Sequence, residues 1–159
     1  MRRATVDDTA ALVELRAEMM RSMGEDPDGG APWRTAAAAW FEARLTGPQD
    51  RFAAFVVDDR VDGVVSCAVG ICDLHTPSPR NPTGIHGHLS NVSTRIEHRR
   101  RGHARTVVEA LLEWFDTEVG ATVLHLSATA DGTALYESLG FAPPRDVALV
   151  RRIKRSAPR

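Results

Sequence analysis

The chain is poor in the residues that most often carry covalent or metal chemistry. It holds two cysteines, Cys67 and Cys72, in 159 residues, too few for a disulfide framework or a cysteine-built zinc site. A single lysine, Lys154, stands among twenty basic side chains. A catalytic or Schiff-base lysine is thereby all but excluded, as is a phosphate loop of the GK[ST] type, which needs an interior lysine. No apolar run approaches the ~18 residues of a membrane span. Met1-Arg2-Arg3 is not followed by the apolar stretch of a secretion signal. Twenty basic against twenty-one acidic residues leave a formal charge of −1, which argues against a coat for nucleic acid or an anionic membrane. The expectation is a soluble, cytoplasmic single domain over residues 1–159, long enough to bury a core and carry a cleft.

What is present is arginine. Anion recognition here must use guanidinium groups, backbone N–H groups, or both; codon bias toward arginine is the plainer source of the same preference. Along the chain, Leu12, Leu15, Met19, Met20 and Met23 follow helical spacing after the capping residues Thr5 to Asp8, with Gly24 as the stop. A second helix is expected from about Trp33 to Leu45. Phe52–Val57 and Val61–Ile71 read as strands joined by a turn at Asp58-Asp59-Arg60, and Ile85–Thr94 as a third. A strong helix follows from Ala104 to Glu118, with Val107, Val108, Leu111, Leu112 and Phe115 on one face and Gly120 as its stop. Thr122–Leu126 reads as a short strand, Gly132–Leu139 as a short helix, and Val147–Ile153 as a last strand. The order β-α-α-β-β-β-α-β-α-β implies a mixed sheet with helices on both faces.

One segment stands out chemically. Arg99-Arg100-Arg101-Gly102-His103-Ala104-Arg105 lies between a strand and the strongest helix. The glycine permits a close backbone turn, and the first amides of the helix point outward as anion donors. A solvated basic loop is the alternative. Positive charge at a helix N-terminus, however, costs roughly 0.3–1 kcal/mol per residue, so several cations there make sense chiefly around a bound anion.

Arg99-x-x-Gly102-x-Ala104 after a strand resembles the acetyl-CoA pyrophosphate motif of the GCN5-related N-acetyltransferases (GNAT). Downstream, Ala134-Leu135-Tyr136-Glu137-Ser138-Leu139-Gly140-Phe141 is similar to the LYesLGF segment of that family, and Ala128-Thr129-Ala130-Asp131-Gly132 to its ATpDG lead-in. The likeness covers about residues 3–153. It implies an α/β (α+β) GNAT fold over 1–159: a central mixed, mostly antiparallel sheet of about six to seven strands, about four flanking helices, and splayed strands at the cofactor site. It implies an acetyl-CoA-dependent acyltransferase with CoA as product and no metal. In such a site Val92, Ser93 and Thr94 hold the pantetheine arm and the thioester carbonyl, where one aimed N–H is worth about 2.7–4 kcal/mol. The amides of Arg101, Gly102, His103, Ala104 and Arg105 wrap the pyrophosphate, with Arg99 and Arg100 at the same end and Thr129 and Gly132 alongside. Tyr136 corresponds to the tyrosine near the sulfur, a general acid for the departing thiolate; a core aromatic with a wet hydroxyl is the other reading.

Between Ile85 and Thr94 the family's frequent glutamate is missing. His86, His88 and Ser90 share one face of that strand, which makes His88 the candidate base or relay; half-exposed strand histidines are the plainer reading. His-x-His alone lacks a third metal ligand. Met20, Met23, Glu25, Asp26, Trp33 and Trp40 are candidates to line the amine site, the acids suiting a cation. Ile96 and His103 depart from the family pattern, which has proline and a small aliphatic there. The expected reaction is direct acetyl transfer to a primary amine of a small molecule or peptide, by a monomer or homodimer without nucleic acid or membrane partners. The alternatives are an acetyl-CoA-binding sensor without turnover and a nucleic-acid binder using Arg99–Arg105 and the tail Arg151, Arg152, Lys154, Arg155 and Arg159. Near-neutral charge and the lack of interleaved aromatics count against the last.

Overall fold

The structure, a computed structural model, describes residues 1–29, 32–48, 50–145 and 147–151. The chain divides into two compact units, Met1–Ser127 and Ala128–Arg159.

The first unit is built on one sheet of five strands in the order β1-β2-β3-β4-β5. These are β1 (Arg2–Arg3), β2 (Phe52–Asp59), β3 (Gly63–Leu74), β4 (Ile85–Thr94) and β5 (Val123–His125). The first four pair antiparallel, and β5 runs parallel to β4. Helix α1 (Thr9–Ser22) and helix α2 (Pro32–Thr46) cover one face. Leu12, Leu15 and Phe41 meet Phe52, Val56, Cys67 and Val69 there in a continuous core, each large side chain contributing about 1.5–3 kcal/mol.

Helix α3 (His103–Trp114) covers the other face with Val107, Val108, Leu111 and Trp114 buried. The approach is close because the strands present glycine to it. A Cβ on Gly70 would lie 2.8 Å from Leu111, and one on Gly87 would lie 2.5 Å from both Leu124 and Phe115. The helix expected to run to Glu118 leaves α geometry at Trp114 and continues as a π turn over Phe115–Val119, closed by Gly120 at φ 69. The wider turn keeps Phe115 fully buried. Trp114, absent from the expected apolar face, is buried with it, while Leu112 is only half-buried.

The hairpin turn falls at Arg60–Asp62 rather than Asp58–Arg60, so Val61 lies outside β3 and is 89% exposed. The Asp59 carboxylate accepts the N–H groups of Val61 at 2.8 Å and Asp62 at 3.2 Å, the local bonding that makes aspartate a turn residue. A register shift at Val57/Asp58 accommodates the displacement.

The second unit contains a 3-10 turn over Ala130–Gly132 and helix α4 (Thr133–Ser138). The last strand expected over Val147–Ile153 is not formed across 147–151; Val147, Leu149 and Val150 are 84–90% exposed. Ile153 lies outside the described residues. An apolar run becomes a strand only with a ladder partner, and among the described residues none is paired with it. The sheet therefore has five strands among the described residues, fewer than the six to seven expected, within the same α+β architecture of four helices.

Candidate active site

Two features of β4 prepare it to bind something other than a neighbouring strand. Cys67 pairs with Ser93 and Val69 with Ser90, so β4 carries one residue more than β3 over this stretch. That is a β-bulge, and such a bulge re-aims the backbone. Asn91 takes the strain at φ 48, and its side chain accepts a hydrogen bond from Arg16 of α1. The second feature is the short length of β5, which pairs only with His86, Gly87 and His88. From Leu89 onward the outer edge of β4, including Val92, Ser93 and Thr94, has no strand beside it among the described residues. Ser66 ties the far end, donating to the Ser93 carbonyl at 3.0 Å and meeting the Thr94 hydroxyl at 2.8 Å.

After β4 a 3-10 turn over Ile96–His98 leads into the arginine loop. Two left-handed residues curl it, Arg100 at φ 63 and Gly102 at φ 84. Arg99 Nε donates to the Thr94 carbonyl at 3.1 Å, and Arg101 donates to the Glu97 carbonyl at 2.9 Å. Gly102 is the N-cap of α3, and its carbonyl accepts the Thr106 N–H at 3.1 Å. The N–H groups of His103 and Ala104 therefore have no acceptor within the helix. A Cβ on Gly102 would meet nothing within 4 Å, so the space above the glycine is open. Outward amides and the positive end of the helix dipole lie at that space, which suits a phosphate, while the guanidinium groups of Arg99, Arg101 and Arg105 bond the Thr94 and Glu97 carbonyls and the Glu109 carboxylate.

In the second unit Thr129 caps the 3-10 turn, its carbonyl accepting the Gly132 and Thr133 N–H groups at 3.0 and 3.1 Å. The Tyr136 ring lies against Gly132, where a Cβ would stand 3.3 Å from Cε2, and edge-on to Phe141 at 6.0 Å. Burial pushes the phenol up from its ordinary value.

The profile of the acetyltransferase (GNAT) family matches residues 12–141. The chain belongs to the GNAT acetyltransferase family, and it is an acetyltransferase. Solved structures agree on the fold. A predicted acetyltransferase of Clostridium acetobutylicum, solved with acetyl-CoA, superposes with a TM-score of 0.82 at 19% identity over 94% of each chain. A GCN5-related N-acetyltransferase of Ralstonia eutropha gives 0.79 at 21% identity, over 94% of this chain and 96% of that one. Glucosamine-6-phosphate N-acetyltransferase of Arabidopsis thaliana gives 0.74 at 16% identity, over 96% and 97%. No curated protein sequence matches the chain.

On the GNAT sheet, His86, His88 and Ser90 alternate with the buried Gly87 and Leu89 and point away from α3. His88 is exposed and stands in register with Ile71 on one side and His125 on the other. The strand histidines have company that the sequence did not reveal. His75 and His125 flank His86 with ring centroids 4.1 and 5.3 Å away, and His86 Nδ1 lies 3.1 Å from His125 Nε2. Burial, then the two neighbouring imidazoles, lowers the His86 pKa. The His86 and His125 rings are parallel to within 2° and the His75 ring is tilted 32° to His86, and among the described residues no group of three His, Cys, Asp or Glu side chains is placed to hold a metal.

The amine-site candidates scatter. Met23 and Glu25 are exposed beyond the end of α1. Trp33 donates to the Pro27 carbonyl at 2.8 Å beneath the Arg34 guanidinium, while Trp40 packs edge-on against Phe41 and Phe52 at the core. A cleft of about 320 Å³ that no motif announced lies beside the arginine loop, lined by Glu14, Leu15, Glu18, Arg21, Arg95 and Glu97. Its side chains come from α1 and from the turn after β4, too far apart in sequence to be read as a cluster. Burial pushes the thiols of Cys67 and Cys72 up to about 12 and about 11, so neither is a thiolate at neutral pH.

Proposed function

We propose that residues 1–159 form a single N-acetyltransferase domain that moves acetyl from acetyl-CoA directly to a primary amine of a small molecule or peptide. The observation that carries this reading is the N-terminus of α3. The His103 and Ala104 amides have no acceptor within the helix, the space over Gly102 is open, and four arginines lie within the seven residues 99–105. Cations at that end of a helix are unfavourable without an anion, so the residues present fit a diphosphate. Val92, Ser93 and Thr94 would hold the pantetheine arm on the free edge of β4. Arg99 to Arg105 would hold the phosphates, and Thr129, Gly132 and Tyr136 would complete the cofactor contacts.

When bound, acetyl-CoA supplies an acetyl group activated as a thioester. The chain's task is to orient the donor and to move protons. His88 faces away from α3, where it can accept the proton of the incoming ammonium. Tyr136, with its phenol pushed up, keeps its proton at neutral pH for the departing sulfur. The burial of Cys67 and Cys72, which pushes their thiols up, supports direct transfer over a cysteine relay. Met23, Glu25, Trp33 and Trp40 are the proposed amine-side residues. A cytoplasmic monomer or homodimer is the expected form.

The test is calorimetry with CoA, 3′-dephospho-CoA and acetyl-CoA, followed by thiol release across amino acids, polyamines, aminoglycosides and peptides. Micromolar CoA binding with amine-dependent thiol release is expected. No binding at millimolar CoA sinks the reading, and tight binding without thiol release on any amine points instead to a sensor.

A further inference from the structure

We propose that Asp62, on the turn between β2 and β3, is a positioning residue for the donor-phosphate loop and acts through His98. The inference rests on the reading of residues 99–105 as that loop. His98 is the last residue before it, and its side chain is 6% exposed. The imidazole Nε2 lies 2.9 Å from Asp62 Oδ2, and the buried Nδ1 has no partner. A bare ring lone pair is tolerated in such a place better than an unanswered N–H. The network therefore assigns the proton to Nε2, donated to the carboxylate. One hydrogen bond to Asp62 sets the orientation of the ring.

Asp62 is itself held in place. Its N–H and that of Val61 are bound by the Asp59 carboxylate, whose pKa those bonds lower, with a smaller contribution from Arg101. Asp59, Asp62, His98 and Arg101 thus form one patch, and the His103 ring at the start of α3 lies 6.3 Å from that of His98. The entry to the loop is fixed where the Arg95 N–H meets the Val65 carbonyl at 2.9 Å, and its exit by α3. Between these points, Arg99 and Arg101 bond carbonyls only a few residues away. The pair of Arg99 with Glu18 at 3.6 Å is partly exposed and ties the loop to α1, not to the sheet. The buried imidazole is the link from the middle of this segment to a different part of the sheet.

Displacing donor amides by about 1 Å costs binding and rate steeply. Asp62 is half exposed on a surface turn, so its variants should fold. Calorimetric Kd for CoA is expected to rise about 5- to 20-fold in Asp62→Ala, while Asp62→Asn, which keeps an acceptor oxygen, stays within about 2-fold of wild type. In a His98→Gln background, Asp62→Ala should add little, as coupled partners are non-additive. Unchanged CoA affinity in folded Asp62→Ala overturns the inference, as does an equal loss in Asp62→Ala and Asp62→Asn. Wild-type protein that fails to bind CoA overturns the loop assignment itself, and this inference with it.

Discussion

Arg16 of α1 donates to the side-chain oxygen of Asn91, at the stretch where β4 carries its extra residue. The contact joins the first helix to the strand segment proposed to receive the donor. Asn91 is 5% exposed and takes a left-handed φ of 48°, so its amide has little other recourse for a partner.

Arg16→Met keeps the aliphatic stem and removes the donor. Leaving the Asn91 oxygen buried and unanswered should cost about 1–3 kcal/mol, read as a lower urea midpoint with the same slope. If the bulge aims the backbone of Val92–Thr94, CoA affinity falls as well. A variant as stable and as tight-binding as wild type would show that the bulge holds itself.

Gly102 separates folding from binding. Its φ of 84° penalises any side chain by about 1–2 kcal/mol, yet the space above it is open. Gly102→Glu also places an anion at the start of α3, which the helix dipole favours by about 0.3–1 kcal/mol. The net change in stability should be small, whereas the carboxylate repels a diphosphate from the same amides. A folded protein without detectable CoA binding is expected, by melting and calorimetry. Unchanged affinity would place the phosphates elsewhere.

The legible parts were those encoded locally. The glycine at α3's start, the strand before it and the periodic apolar face of α3 are adjacent in sequence, so their geometry could be read from spacing. What failed to show was long-range. His75 and His125 meet His86 only because β4 pairs parallel with β5 and the chain returns past β3. The Asp62–His98 pair needs the hairpin turn to be placed correctly, and the Asp59 side chain moves that turn by two residues from its expected position. The bulge at Asn91 is invisible to a period-two pattern, since one extra residue leaves the composition of the strand unchanged.

The imidazole cluster predicts an acid limb. The His86 pKa in the folded chain lies below its ordinary value of 6.5, so the unfolded chain binds more protons as pH drops through 6.5. Stability is therefore complete above that value and falls below it. The groups facing His86 are His75 from the loop after β3, His125 of β5, His88 along β4, and Asp73 opposite it on β3. His86→Gln should flatten the fall in Tm between about pH 6.5 and 5, by about 1–3 °C. Parallel pH profiles in wild type and variant would remove His86 as the cause.

The two proposed proton carriers, Tyr136 and His88, are separable by substitution. Tyr136→Phe retains the ring that packs against Gly132 and Phe141 and removes only the phenolic proton. General-acid contributions are typically about 10²–10⁴-fold, so kcat should fall into that range with CoA affinity little changed. The phenol is pushed above its ordinary value of 10; the wild-type advantage should hold across neutral pH and shrink only beyond that value, as the proton is lost. His88→Ala should change over a lower pH range. Its deficit should be largest near neutral pH, where the acceptor amine is still protonated, and close as pH rises and the amine arrives already free. Full activity in Tyr136→Phe would leave solvent to protonate the sulfur. A small, pH-independent effect of His88→Ala would return that residue to an exposed position on β4 with no part in proton transfer.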